Sequence, residues 1–277
     1  MKTKNLLLAL VAILALASCD KDNDPGLTKN SHRVKQIIFD TEGYNNDWKY
    51  VFTYEGEKMA SFLEYNRDES GNWYEKLKTD VSYAGDNATV TCYEKDSGSW
   101  NITDKHEYVI QSGLMMEELN YDYENGAWIK ASKWTYQYSV TNISAWQSYD
   151  DEDEDGTFEQ NGKGEYIYKN GKITDYKEYK LGESDNFYLN SRETFDYDGS
   201  KMISFIDYNL DESDSLINAS QTEYHYSGDK VSETEYSNWN SDKNQWDSEY
   251  LKSFIYNSNG YLIEEIFDDS DKVTYEY

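Results

Sequence analysis

Apolar and polar residues alternate with a period of two along most of this chain. In residues 164–168 (Gly-Glu-Tyr-Ile-Tyr) and 193–197 (Glu-Thr-Phe-Asp-Tyr), aromatic or β-branched side chains are interleaved with charged ones. A period of two indicates β-strands with unlike faces. No apolar pattern with the period and length of a helix accompanies these strands, so the sequence predicts an all-β protein.

The alternation returns at a nearly fixed interval. One strand-end position recurs every 27 to 30 residues, and we call its members the column; they are Tyr54, Tyr83, Ile110, Tyr138, Tyr168, Tyr197, Tyr226 and Tyr256. Turn pairs such as Asn170-Gly171 and Asp198-Gly199 suit tight hairpins, because a positive φ costs little there. Two strands per interval predict an antiparallel meander of about eight two-stranded hairpin repeats of about 29 residues each. Since twist should coil so long a sheet, we expect it to be curled or superhelical within a single domain, residues 34–277.

A second aromatic position precedes most column residues by ten positions. Its members are Trp73, Trp100, Trp128, Phe158, Phe187 and Trp246. Because ten is even, both aromatic positions should point to the same side of a strand that has no bulge. The spacing therefore predicts an aromatic ladder on one face of the sheet.

The first 33 residues differ in character from the rest. Lys2 and Lys4 precede an apolar stretch at 6–16, so residues 1–18 are predicted to be an export signal. Leu16-Ala17-Ser18-Cys19 resembles the lipobox of bacterial lipoproteins, which implies that Cys19 is acylated and becomes the mature N-terminus. Residues 19–33 are then predicted to be a lipidated cysteine followed by a flexible tether. The resemblance implies an outer-membrane protein anchored by lipid, at the cell surface or on the periplasmic side.

Charge and cysteine content narrow the choice of partners. The formal net charge is −28, which repels nucleic acid and anionic lipid head groups. Once Cys19 is lipidated, Cys92 is the single remaining cysteine. Its strand-like surroundings favour a buried structural thiol, and no histidine lies near it in the sequence to activate it as a nucleophile.

The repeats resemble two groups of known proteins. At Phe195-Asp-Tyr-Asp-Gly199 and Tyr166-Ile-Tyr-Lys-Asn-Gly-Lys172 the chain resembles the tyrosine-aspartate repeats of Rhs and teneurin shells, and it also resembles uncharacterised repeat lipoproteins of the Bacteroidota. These likenesses imply β-hairpin repeats, but they imply no activity.

One loop has the beginning of a calcium-binding pattern. Asp151, Asp153 and Asp155, followed by Gly156, match the first half of such a loop, where alternate carboxylates converge on one hard cation. The twelfth position is Gly162, where the pattern requires a bidentate Glu. A solvated acidic turn is therefore the favoured interpretation, and calcium is the alternative; no other cofactor is predicted.

The remaining candidate chemistry is recognition by aromatic rings. Trp134, Trp146 and Trp239 lie outside the regular positions, and aromatic rings can stack on sugars. No spaced set of catalytic residues accompanies the three histidines, so we predict no enzyme. The sequence thus predicts a lipid-anchored envelope protein that acts as a non-enzymatic binding or scaffold module for an unidentified glycan or protein partner. The alternatives are a surface glycan-binding protein that uses exposed Trp and Tyr, and, less favoured, a glycosidase-like enzyme.

Overall fold

The structure is a computed structural model that describes residues 33–41, 47–151, 156–182, 185–211, 215–268 and 271–277. The predicted signal, Cys19 and most of the tether lie outside the described residues. The described part of the chain contains no helix long and apolar enough to cross a membrane.

The described residues form eighteen β-strands, and this all-β character agrees with the alternating pattern, although that pattern predicts about sixteen strands. Their bounds are β1 (Gln36–Asp40), β2 (Trp48–Glu55), β3 (Lys58–Arg67), β4 (Trp73–Ala84), β5 (Asn87–Asp96), β6 (Ser99–Gln111), β7 (Leu114–Glu124), β8 (Ala127–Ser139), β9 (Asn142–Asp150), β10 (Glu159–Lys169), β11 (Lys172–Leu181), β12 (Phe187–Asp198), β13 (Lys201–Leu210), β14 (Leu216–Ser227), β15 (Lys230–Asn240), β16 (Gln245–Tyr256), β17 (Leu262–Phe267) and β18 (Asp271–Glu276).

The strands close into a barrel. Each strand pairs antiparallel with the next along the chain, and β1 also pairs with β18, with Ile38 opposite Thr274. The prediction of an open, curled or superhelical sheet of about sixteen strands is therefore wrong, although its all-β, antiparallel part is right. Closure is favoured because the two terminal strands satisfy each other's free backbone N–H and C=O groups, which an open sheet would leave at its edges.

The two faces of the barrel wall differ in character. One face, which we call the aromatic face, carries the column together with both clusters of buried apolar side chains, including Tyr50, Phe62 and Val90. The other, the charged face, carries ion pairs such as Lys105–Glu107 and Lys163–Glu165. Side chains on the concave side of a barrel converge and bury one another. Because nearly all buried strand residues lie on the aromatic face, we infer that it lines the interior.

A bulge overturns the predicted single aromatic ladder. In β8, Tyr121 pairs with Lys130 while Asn120 pairs with Ser132, so Ala131 is an extra residue. The other strands that end in a column residue from 83 to 256 carry an equivalent extra residue, namely Lys76, Thr103, Asn161, Asn190, Ala219 and Glu249. One extra residue in a strand moves all the side chains beyond it to the opposite face of the sheet. The aromatics that begin these strands therefore lie on the charged face, opposite the column.

The hydroxyls of the column tyrosines bind backbone carbonyls that lie beside a second set of bulges. Tyr83 Oη donates to Met59 O at 3.0 Å, and Tyr168 Oη donates to Ile143 O at 3.0 Å; both carbonyls belong to the preceding hairpin, immediately before its bulged residue. Tyr138 and Tyr226 make equivalent bonds. Ile110 breaks the column where the preceding hairpin, β4–β5, pairs without a register shift. Because that hairpin has no bulge, it offers no carbonyl of this kind for a tyrosine hydroxyl to bind.

Candidate functional site

The interior wall formed by β11 to β14 holds three carboxylates on adjacent strands. Glu178 lies on β11, Glu193 on β12 and Asp207 on β13, with Glu193 directly opposite Asp207 and Glu178 opposite Ser191. Glu193 and Asp207 border a cavity of about 350 Å³, whose other polar lining includes Ser191, Asn209, Ser220 and Asn238. We call this cavity and the three carboxylates the acidic pocket.

The charges of the acidic pocket are not balanced by a basic side chain. Among the described residues, Glu178, Glu193 and Asp207 form no ion pair; Asp207 accepts a hydrogen bond from Ser220, and Glu178 accepts one from Asn190 at 2.9 Å. Arg192 also borders the cavity, but its Nη2 lies 2.5 Å from Asp175 Oδ2. Burial, followed by repulsion from Asp207 and Glu178, raises the pKa of Glu193 to about 7. The carboxylates of the acidic pocket therefore lack a positively charged partner among the described residues.

A second polar cluster lies on the interior wall formed by β5 to β7. Cys92 on β5 is directly opposite Asp104 on β6, and His106 follows two residues later on the same face. One donor atom from each of the three residues lies within 4.8 Å of the other two. The His106 ring is buried and is held at both nitrogens: Nε2 lies 3.0 Å from Asp104 Oδ1, and Nδ1 lies 2.5 Å from Asn120 Oδ1.

Sequence reasoning missed this cluster because it considered only neighbours along the chain. Cys92 and His106 are fourteen positions apart, but antiparallel pairing of β5 with β6 brings them together. The signal that could have found them is the hairpin turn at 97–98, from which the register of Cys92 against Asp104 can be counted once the bulge at Thr103 is included.

We call Cys92, Asp104 and His106 the Cys92 cluster. Its electrostatics favour a charged histidine and a neutral thiol. Burial opposes charge on His106, but hydrogen bonding with Asp104, Cys92 and Glu118 outweighs it and raises the pKa of His106. The same pairing lowers the pKa of Asp104 against the effect of its burial. Burial raises the pKa of the Cys92 thiol. Because the thiolate is the nucleophile, a protonated thiol gives no support to nucleophilic catalysis by Cys92.

The structure separates the three predicted stacking tryptophans. Trp134 and Trp146 lie on the aromatic face with ring centroids 4.8 Å apart, and Trp146 is buried against Gly164 while its Nε1 donates to Tyr176 Oη at 3.2 Å. Trp239 lies on the charged face, paired with Trp246 at 4.9 Å and 68°. Sugar stacking by these rings stays a prediction.

The predicted calcium loop is described only in part. Asp151 is buried, its Oδ2 accepts a hydrogen bond from Gly156 N at 3.0 Å, and its Oδ1 has no hydrogen-bond partner among the described residues. Asp153 and Asp155 lie outside the described residues, as does the lipidation site Cys19. Calcium binding and acylation therefore stay predictions.

Comparison with known proteins shows likeness to solved structures but not membership of a family. No protein-family model matches this chain, and no curated protein matches it. A porin-like protein from Bacteroides vulgatus is 13% identical with a TM-score of 0.41, covering 88% of this chain and 98% of that one. A DUF3836 family protein from Bacteroides vulgatus is 18% identical with a TM-score of 0.30, covering 32% and 91%. A protein of unknown function from Bacteroides fragilis is 15% identical with a TM-score of 0.29, covering 53% and 91%.

All three of these solved structures come from Bacteroides species. At such identities and TM-scores they carry no argument about function. A closed antiparallel barrel is compatible with a location at the outer membrane.

Proposed function

We propose that this protein is a lipid-anchored, non-enzymatic binding module of the cell envelope, and that its barrel interior binds a small organic cation. The observation that carries the proposal is the acidic pocket, where Glu193 and Asp207 border a cavity of about 350 Å³ and Glu178 lies on the neighbouring strand. Among the described residues, none of these three carboxylates forms an ion pair. A bound ammonium group would replace the missing counter-charge. The hydroxyl of Ser191 and the amide of Asn209 would orient the rest of the ligand by hydrogen bonds.

The barrel in this proposal is tethered to the membrane and does not span it. Charged pairs lie on several strands of its outer wall, such as Lys78–Asp80, Lys95–Glu75 and Arg192–Asp175. A lysine or arginine facing lipid at the middle of a bilayer costs about 2–4 kcal/mol, so an uninterrupted lipid-facing band is not available on this wall. Acyl chains on Cys19 would supply the membrane attachment.

Binding can be tested with putrescine, an aliphatic diamine that has the required charge. Isothermal titration of the full chain should give saturable binding that weakens at least tenfold in Glu193→Gln and in Asp207→Asn. The matched control is Glu223→Gln, which removes the same charge from an exposed residue of β14 on the opposite face and should bind like the parent chain. Equal weakening in all three variants would show a general charge effect and would contradict an interior site.

The anchor is tested separately from the pocket. When the full gene is expressed in a Gram-negative host, the protein should partition with membranes and Cys19→Ser should move it to the soluble fraction, because the acyl chains are its attachment. Loss of attachment with retained putrescine binding would support both halves of the proposal. Membrane association that persists in Cys19→Ser would overturn the lipid anchor and leave the pocket untouched.

Glycan binding is the second candidate function. It is favoured by the Trp239–Trp246 pair, which lies on the outer wall next to the turn at 241–244 and is half-buried. If this pair stacks on sugars, neutral oligosaccharides should quench tryptophan fluorescence in the parent chain and not in Trp239→Ala. Oligosaccharide binding without putrescine binding would favour this candidate over the acidic pocket.

A further inference from the structure

The Cys92 cluster has the donor set of a transition-metal site. A thiol, an imidazole and a carboxylate converge from two adjacent strands, and their donor atoms all lie within 4.8 Å of one another. Donor atoms around a tetrahedral zinc ion lie 2.0–2.3 Å from the metal, which places them roughly 3–4 Å apart. His106 Nε2 and Asp104 Oδ1, at 3.0 Å, already have such a separation. The other separations are within 4.8 Å, so they exceed the distances around a tetrahedral ion by about 1–2 Å at most.

The neighbouring residues hold these donors as outer-shell groups hold metal ligands. His106 Nδ1 is fixed by Asn120 Oδ1 at 2.5 Å, with Glu118 Oε1 at 3.5 Å, so Nε2 is the nitrogen that points to Cys92 and Asp104. The second oxygen of Asp104 accepts a hydrogen bond from Thr103 at 2.5 Å. Histidine ligands in metal sites characteristically donate their other N–H to such a carboxylate or carbonyl oxygen.

The side chains around the three donors are also held in place. Thr79, which is buried, donates to Cys92 Sγ at 3.9 Å, and Asn120 Nδ2 donates to Ser132 Oγ at 2.9 Å, so the supporting side chains are themselves held. The residues come from the middle of long paired strands, whose backbone cannot easily move. A preformed arrangement of this kind reduces the ordering cost of binding an ion.

We propose that Cys92, Asp104 and His106 bind a divalent transition metal of the zinc class, with a fourth coordination position open to water. Sulfur with imidazole nitrogen favours zinc over calcium or magnesium, which prefer oxygen ligands alone. On binding, the metal takes the place of the proton between His106 and Asp104, and the protons of the thiol and the imidazolium pass to solvent. This site lies on a different part of the wall from the acidic pocket and does not depend on the proposed function.

Cobalt(II) provides a direct test, because cobalt–thiolate coordination produces a charge-transfer absorption that no oxygen or nitrogen ligand gives. The full chain carrying Cys19→Ser, in which Cys92 is the single cysteine, should develop this band at one equivalent of cobalt(II). Zinc(II) should then displace cobalt(II) and abolish the band. Absence of the band at one equivalent, in a chain whose circular dichroism shows β-structure, would overturn the proposal.

Variants identify the ligands and separate a metal site from a structural cluster. Asp104→Asn and His106→Gln should each weaken zinc binding at least tenfold in competition with a chromophoric chelator, and Asn120→Ala should weaken it about tenfold through the lost hydrogen bond to Nδ1. His225→Ala, on the charged face, is the matched control and should bind zinc like the parent chain. Zinc affinity that is unchanged in Cys92→Ser and His106→Gln would place the metal elsewhere and contradict the assignment.

Discussion

At the scale of single residues, tyrosine has a defined role in this barrel beyond burying surface. The hydroxyl of a column tyrosine donates to a backbone carbonyl next to a bulge in the preceding hairpin, as Tyr168 does to Ile143. A lysine from the preceding turn often covers the ring of the same tyrosine, as Lys58 does 4.4 Å from the centroid of Tyr83. Each tyrosine therefore joins two hairpins through its hydroxyl and its ring.

Replacing Tyr168 by Phe tests this role. The ring stays, but the carbonyl of Ile143 loses its donor, so we expect a loss of about 1 kcal/mol in the free energy of unfolding. Urea denaturation measures the change. Tyr188→Phe, which alters a ring that is 48% exposed, should change stability much less. Equal effects would show that the hydroxyl of Tyr168 contributes no more than an exposed one.

Glu193 gives the protein a predicted pH dependence. Its pKa is raised from 4.5 to about 7, so between these two pH values the folded state keeps a proton that the unfolded chain has released. Stability from this group is full below pH 4.5 and is lost as the pH rises through 7. Glu193→Gln should therefore stabilise the protein by about 1–2 kcal/mol near pH 8, after allowance for solvent screening, and leave it unchanged near pH 4.

Thermal melts of the Glu193→Gln variant at the two pH values provide the measurement. Glu223→Gln is the control, and its difference from the parent chain should not follow the same pH window. A gain that is equally large near pH 4 would mean that Glu193 does not carry the charge repulsion described.

At the scale of strands, Trp146 packs against the neighbouring strand at Gly164 and bonds to the strand beyond it. Trp146 on β9 lies over Gly164 on β10 and reaches Tyr176 on β11. A Cβ added at Gly164 would lie 2.1 Å from Trp146 Nε1, so the indole must move. Glycine is therefore required at position 164 because a larger side chain would overlap the indole, and not because the backbone has a positive φ.

Gly164→Ala should destabilise the protein by about 1–3 kcal/mol, because the indole is displaced and its hydrogen bond to Tyr176 is lost. The measurement is urea denaturation, with near-ultraviolet circular dichroism to follow the indole. In a Trp146→Phe background, which removes the clashing ring nitrogen, the same substitution should cost less. An additive cost in the double variant would contradict the direct contact.

At the scale of the whole molecule, closure depends on two short strands from opposite ends of the described chain. β1 has five residues and β18 has six, yet together they complete the ring and contribute Ile37 and Val273 to the interior. Closure removes the exposed edges at which a sheet of this length would pair with other molecules.

A cross-link tests closure directly. With Cys19 and Cys92 replaced by Ser, the pair Ile38→Cys and Thr274→Cys should form an intramolecular disulfide on mild oxidation, because these residues face each other on neighbouring strands. Lys49→Cys with Thr274→Cys is the control, since β1 separates these two residues by about 10 Å, which is too far for a disulfide. A chain that cross-links only between molecules would be an open sheet.

The sequence by itself determined the strands, their tight turns and the tyrosine column, because period-two alternation and turn residues are local properties of the chain. Only the tertiary structure decided closure, since the pairing of β1 with β18 joins residues more than 230 positions apart and leaves no local signal. It also decided the faces, because Ala131 and its equivalents are bulged by pairing with a neighbouring strand. The Cys92 cluster and the acidic pocket follow from that same register, which places side chains from different strands beside one another.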